Sequence, residues 1–191
     1  MREDATSEAF FERMYRQNSD PWSFASSAYE RDRYEAIVDS LSHRRYQHAF
    51  EPGCSIGMLT GRLASLCDCI DATDISATAV KIARHNCRNL PNVRVTRGAL
   101  PQFIPAGGFD LIVLADIGYY FEEHDLQSLA ADLLSRIHKP GVLLAAHWLG
   151  VSKDHVLSGD RVHELLGALK GLSGRQAERH GGFRLDCWEL V

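Results

Sequence analysis

A chain of 191 residues, 45% hydrophobic and 24% charged, has the make-up of one ordinary globular domain. Its formal net charge of −4 gives no general attraction to nucleic acid, and the one basic run, His43-Arg44-Arg45, is short. No apolar stretch approaches the ~20 residues of a membrane span, and Met1-Arg2-Glu3-Asp4 lacks a signal peptide's basic start and apolar core, so the expected location is the cytoplasm.

Cys54, Cys67, Cys69, Cys87 and Cys187 are odd in number and include no Cys-x-x-Cys. Alternation puts Cys67 and Cys69 on one face of a strand, where they read as buried thiols rather than metal ligands. The nine histidines include no His-x-x-x-His spacing, and no metal is expected.

Along the chain, residues 5 to 17 place Phe10, Phe11, Met14 and Tyr15 at helical spacing. That helix stops before Asp20-Pro21, because the residue before proline avoids the α region. A second helix, Tyr29 to Ser42, presents Tyr34, Ile37, Val38 and Leu41 on one face. Strands and helices then alternate: a strand from Gln47 to Glu51, a helix from Met58 to Leu66, a strand from Cys69 to Asp74. A helix follows from Ala77 to Asn89 with Ser76 as its N-cap, then a strand from Val93 to Thr96. Phe109 to Ala115 is an unbroken apolar run of the kind found in a buried parallel strand. A helix from Asp125 to His138 and a strand from Val142 to His147 complete the alternation. Ser158 caps a last helix through Leu169, and Arg175 to His180 and Phe183 to Leu190 flank Gly181-Gly182 as a hairpin. The alternating units predict an α/β fold, a parallel sheet with helices on both faces.

The most informative stretch is Glu51-Pro52-Gly53-Cys54-Ser55-Ile56-Gly57. A strand feeds a glycine loop and then a helix, whose unpaired N–H groups can meet a polar ligand. Asp74 ends the next strand, where a carboxylate grips ribose hydroxyls in nucleotide-binding βαβ units. Dinucleotide enzymes use Gly-x-Gly-x-x-Gly against a pyrophosphate. Here only two glycines are present, and Glu51 suits an ammonium or sulfonium better than a phosphate. Glu-x-Gly-x-x-x-Gly with a downstream Asp resembles the class I S-adenosylmethionine-dependent methyltransferases. The resemblance implies S-adenosylmethionine as cofactor, S-adenosylhomocysteine as product, and an antiparallel hairpin closing a Rossmann-like seven-stranded sheet.

Ligands of doubly wound sheets sit beyond the carboxyl ends of the strands. Those ends nominate Glu51, Gly53, Cys54, Ser55 and Gly57, then Asp74 with Ile75 packing on adenine, then Gly98, Ala99 and Leu100. Relatives often place an acid at the third strand end, which is absent here. Asp116, Ile117 and Tyr119-Tyr120 follow the fourth strand, with one tyrosine expected in the site and one packed. A carboxylate closing an apolar strand is expensive unless used, which marks Asp116 for cofactor or substrate. His147 ends the fifth strand and can take a proton from an amine or hydroxyl near neutral pH. Trp148 can stack on a sugar or pack in the fold. His155 and Asp160 lie in the following loop, where substrate-binding insertions commonly fall. Asp116, His147 and Tyr119 are thus the catalytic candidates.

Asp20-Pro21-Trp22-Ser23-Phe24, Tyr29-Glu30-Arg31-Asp32-Arg33-Tyr34, Glu51-Pro52-Gly53-Cys54, His147-Trp148 and Leu157-Ser158-Gly159-Asp160-Arg161-Val162-His163 together resemble the nodulation protein S (NodS) family. The resemblance spans nearly the whole chain. It implies N-methylation of a free amine on a small or carbohydrate acceptor resembling a de-N-acetylated chitooligosaccharide, in bacterial nodulation or elsewhere. Trp22 and Tyr29 can then cap the cofactor, with Arg33 pairing its carboxylate, or can simply staple the N-terminal helices to the sheet. One domain is expected over residues 1–191, with a helical cap over 1–45 and the core over 46–191. No nucleic acid partner is expected, and the residues leave the oligomeric state open. Two alternatives are a nicotinamide-dependent oxidoreductase or epimerase, disfavoured by the missing glycines and the lack of Tyr-x-x-x-Lys, and a cofactor-binding module without catalysis.

Overall fold

The computed structural model describes residues 7–191. Its helices are α1 (Glu8–Gln17), α2 (Ala28–Leu41), α3 (Met58–Leu63), α4 (Ala77–Asn86), α5 (Glu123–Ser135) and α6 (Gly159–Gly167). Its strands are β1 (Tyr46–Pro52), β2 (Cys67–Asp74), β3 (Val93–Arg97), β4 (Phe109–Ala115), β5 (Ile137–Trp148), β6 (Leu172–Arg179) and β7 (Phe183–Leu190). They form one seven-stranded, Rossmann-like sheet in the order β3-β2-β1-β4-β5-β7-β6. β1 to β5 run parallel, and β7 is antiparallel to both β5 and β6. The order reverses at β1 and β4, and this switch point opens the crevice that holds the site.

Apolar residues divide between the two faces of the sheet. Tyr34, Ile37 and Leu41 of α2 and Leu59 and Leu63 of α3 pack on one face against Ile70, Leu111 and Leu144. Leu126, Leu129 and Leu133 of α5 with Val162 and Leu166 of α6 cover the other, against Phe50, Ile112 and Leu143. β4 serves both faces, which is why it reads as an unbroken apolar run.

Several helix ends differ from the periodic reading. Residues 5 and 6 lie outside the described residues, and α1 begins after Ser7, whose hydroxyl accepts from Phe10 N. The expected helix over Met58 to Leu66 tightens into a 3-10 turn at Ala64–Leu66, and α4 ends at Asn86 rather than Asn89. Ser76 caps α4 as its hydroxyl accepts from Ala79 N, and Ser158 caps α6 through Arg161 N. α5 spans two residues earlier than the expected start, and β5 runs back to Ile137, where an α-helical end to His138 was read. Backbone pairing with β4 at Phe109 and Ile137 wins over the local helical pattern. Cys67 is buried, but Cys69 is only half-buried, and all five thiols are free.

Candidate active site

Glu51 lies near the end of β1 with 2% of its surface exposed, and its Oε2 has no hydrogen-bond partner. Burial pushes its carboxyl up to about 8, with a further push from the Asp74 charge. Gly53 follows at φ +73°, and a Cβ there would stand 2.2 Å from Ile117 Cγ2, so only glycine lets the loops after β1 and β4 touch. Gly57, at φ +80°, opens α3 and lies against Ala83 of α4.

The loop is tied to the next strand end. Cys54 N donates to Thr73 O at 2.9 Å. Ser55 N donates to Asp74 Oδ2 and Ser76 N to Asp74 Oδ1, both at 2.9 Å. Asp74 is 6% exposed, and burial still pushes it up to about 6 against those two hydrogen bonds. The charges acting on Glu51 and Asp74 are acidic ones, Asp74 on Glu51 and Glu12 on Asp74. Two buried carboxylates with no cation acting on them among the described residues call for a ligand that brings donors or positive charge.

These groups line a cavity of about 970 Å³. Ile75, Gly98, Ala99, Leu100, Ile117, Tyr119 and Tyr120 line it as well, and Gly98 N is held by Asp74 O. Seven carboxylates (Glu30, Glu51, Asp74, Asp116, Glu122, Asp125 and Asp154) face it against the charges of Arg33 and Lys153.

The N-terminal helices close one side. Phe11, Tyr15, Trp22, Phe24 and Tyr29 line the cavity, and Tyr15 OH donates to Ser55 Oγ. Trp22 packs edge-on against Tyr15 and stacks on Phe24. Glu12 fixes α1 to the start of α4, accepting from Ser76 Oγ, Thr78 N and Thr78 Oγ1. Those hydrogen bonds, Ser76 first, hold Glu12 down at about 2.

Asp116 adopts φ 54° at the end of β4. Its Oδ1 accepts from Trp148 N at 2.9 Å and its Oδ2 from Arg33 Nη1. Arg33, 2% exposed, gives its other terminal nitrogen to Glu30 Oε2. The expectation that Arg33 pairs a cofactor carboxylate is therefore corrected. Both ends of its guanidinium already hold carboxylates of the protein, which compensate its buried charge.

His147 also departs from expectation. It does not line the cavity, and none of its surface is exposed. Side chains alternate along β5: Trp148 turns to the cavity, 36% exposed, and His147 turns away toward α6. Gly118 N donates to His147 Nε2 at 3.0 Å, so Nδ1 carries the proton and faces His163 Nε2 at 3.1 Å. His163 Nδ1 in turn meets Asp186 Oδ2 at 2.9 Å. Burial first, then His163, holds His147 well below histidine's ordinary range, so it is a neutral link in a buried chain. Tyr119 is buried against this chain, 5.4 Å from the His147 ring, yet reaches the cavity with its neighbour Tyr120. Both tyrosines line the site, where one was expected.

The sequence profile of the nodulation protein S (NodS) family matches residues 5–156. The chain belongs to the NodS family. Its NodS relative from Sinorhizobium fredii, nodulation protein S, is 30% identical over 121 residues, 59% of this chain and 56% of the relative. The chain spans about half the length of the curated NodS relatives it matches. A crystal structure of a putative methyltransferase from Pseudomonas syringae is 33% identical, with a TM-score of 0.73 over 85% of this chain and 99% of that one. The N-methyltransferase NodS from Bradyrhizobium japonicum WM9, in complex with S-adenosylhomocysteine, superposes with a TM-score of 0.84. It is 21% identical, over 98% of this chain and 99% of that one, and shares the fold.

Some lining residues of this NodS-family chain escape its sequence pattern. Phe11 and Tyr15 read as the apolar face of a helix, and nothing local says that this face meets the cofactor loop. Ser152, Lys153 and Asp154 carry no motif either, and Glu30, within the Tyr29–Tyr34 stretch, was not singled out for the site. His155, by contrast, lies in the loop that the strand order marks for substrate contact, and it lines the cavity. Asp160 does not, being held at the surface by Arg179 and Arg184.

Proposed function

We propose that this chain is an S-adenosylmethionine-dependent methyltransferase that N-methylates a free amine on a small or carbohydrate acceptor. The observation that carries the reading is the pair of buried acids, Glu51 and Asp74, at adjacent strand ends, with no cation acting on either among the described residues. The unpartnered Glu51 Oε2 fits the ammonium of the cofactor's amino-acid part, and Asp74 fits ribose hydroxyls. Gly53 lines the same cavity, and its missing Cβ lets Ile117 of the loop after β4 close against the glycine loop. A dinucleotide's pyrophosphate would meet the ionised Asp74 with like charge and would hold Glu51 protonated, which disfavours the nicotinamide reading.

When bound, the cofactor supplies an electrophilic methyl group on a positively charged sulfur. The protein holds the acceptor in line with it, and positioning of this kind contributes ~7–11 kcal/mol to a displacement. The excess of carboxylates around the cavity favours a cationic acceptor, as a protonated amine is. Trp148 and Tyr29, each 36% exposed, offer flat faces to a sugar ring. The NodS family and the N-methyltransferase named among the similar structures support nitrogen as the methylated atom. In this reading α1 and α2 act as a cap over the cofactor, and the chain works as one domain.

Calorimetry with S-adenosylhomocysteine and with NAD tests the cofactor, and methyl transfer to glucosamine oligomers and to their N-acetylated forms tests the acceptor. S-adenosylhomocysteine should bind and NAD should not. Asp74→Ala should weaken that binding at least tenfold, from the loss of a charged hydrogen-bond partner worth ~1.5–3 kcal/mol. Equal transfer to N-acetylated oligomers would sink the amine reading.

A further inference from the structure

A protonated amine cannot attack a methyl group until its lone pair is freed, and the strand-end candidates are poorly placed to take the proton. His147 is sealed in the core with both ring nitrogens engaged. Asp116 has one oxygen on Trp148 N and the other on Arg33. His155 differs from both: it is the one histidine lining the cavity, and no hydrogen bond occupies either ring nitrogen among the described residues.

Three rings and a backbone clamp hold it there. The imidazole stacks on Tyr119, with centroids 3.7 Å apart and planes 18° from parallel. Tyr120 meets it edge-on at 5.5 Å and Trp148 at 6.0 Å. The two residues after it, Val156 and Leu157, both donate their backbone N–H to Tyr119 O, at 2.8 and 3.1 Å. The ring and its loop are thus fixed to the turn that follows β4, which borders the cofactor loop through Ile117 and Gly53.

We propose that His155 is the general base of the reaction, a role that rests on the amine-methyltransferase reading above. The acceptor ammonium gives one proton to a ring nitrogen of His155. The freed nitrogen pair forms the bond to the methyl carbon as the carbon–sulfur bond breaks, its electron pair staying on sulfur. His155 then returns the proton to solvent, so one proton is released per methyl transferred. Among the groups facing the ring, the carboxylates of Asp154 and Asp116 stabilise the imidazolium. The Tyr119, Tyr120 and Trp148 rings also face it and carry no charge, while the half-buried setting opposes the imidazolium and is the largest influence, setting the ring below histidine's ordinary range. Lys153 also lines the cavity, and Arg33 stands across Asp116, both adding positive charge to the region. The base is therefore neutral and ready near pH 7.

The test combines pH-dependent kinetics on glucosamine tetramer with an NMR titration of the histidine rings in protein saturated with S-adenosylhomocysteine. For the wild type, kcat/KM should rise through an acidic inflexion below pH 6.5 and then level off. In the spectra, His155 should titrate at that same pH while His147 stays neutral. His155→Gln should lower kcat about 10²-fold and change the affinity for S-adenosylhomocysteine less than twofold. It should also lose the acidic inflexion, its residual rate climbing with pH as free amine accumulates. Imidazole should restore part of the rate to His155→Ala, which a packing role would not allow. A His155→Gln enzyme that keeps the inflexion or more than a third of kcat overturns the assignment. So does a His155 ring that fails to titrate between pH 4.5 and 7.5, whatever the acceptor. Absence of transfer by the wild type to any glucosamine oligomer, with a titrating His155, would instead overturn the choice of acceptor.

Discussion

Tyr15 on α1 donates its phenolic hydrogen to Ser55 Oγ in the middle of the cofactor loop. The residues are 40 apart in sequence, and both are buried. The bond latches the N-terminal helix to the glycine loop that lines the cavity, and Trp22 packs against the same tyrosine ring.

Removing that hydroxyl should loosen the latch without emptying space. In Tyr15→Phe the ring still packs on Trp22, and Ser55 Oγ loses one donor. The lost bond, worth ~0.5–1.5 kcal/mol of stability, should lower the urea midpoint, and the loosened loop should bind S-adenosylhomocysteine more weakly by calorimetry, by up to about tenfold. Equal affinities for wild type and variant would mean that the helix does not act on the loop.

Glu51 makes binding depend on pH. Its folded-state value of about 8 stands above the ordinary 4.5, so the folded chain holds more protons than the unfolded chain between these values. Stability of the ligand-free protein therefore falls as pH rises from 4.5 to 8. An ammonium beside Glu51 favours the ionised form, so affinity for S-adenosylhomocysteine should rise toward pH 8, by up to about tenfold per pH unit for one linked proton. Glu51→Gln should flatten this rise between pH 6.5 and 8 and make the ligand-free protein more resistant to urea at pH 8. A wild-type slope in Glu51→Gln would show that another group is linked.

His147 should report on the fold rather than on proton transfer. His147→Ala strips Gly118 N–H of its acceptor and His163 of its neighbour inside the core. The expected loss of stability is roughly 2–4 kcal/mol, read from the urea midpoint. At a temperature where the variant is folded, kcat/KM should keep its acidic inflexion. Loss of that inflexion in His147→Ala, with His155 intact, would return the histidine of β5 to the chemistry.

What could be read from residues alone follows from the range of the forces involved. The strands, their parallel core and the Gly181-Gly182 hairpin were legible because periodicity and turn chemistry are local. Glu51, Gly53, Gly57 and Asp74 were nominated by spacing; Glu51, Gly53 and Asp74 meet at one cavity because strand order brings strand ends together, while Gly57 does not line it and packs against Ala83. His147 and Trp148 were nominated together, but adjacent strand residues face opposite ways, and which of them meets the cavity depends on where β5 starts. That start is set by pairing with β4 and β7. Arg33 was expected at the cofactor, and its two carboxylate partners lie 3 and 83 residues away. Only the nearer spacing carries a helical signature.

Arg33 joins three parts of the molecule that a breeder of chimaeras would be tempted to separate. One guanidinium binds Glu30 on its own helix and Asp116 beyond β4, and Asp116 also receives the backbone of β5 at Trp148. Exchanging the N-terminal segment with that of a relative changes positions 30 and 33 together and leaves Asp116 behind. Positions 30, 33 and 116 must therefore travel as a set. A graft that brings a neutral residue to position 33 strands two acids together in the interior, and it needs uncharged replacements at both to fold.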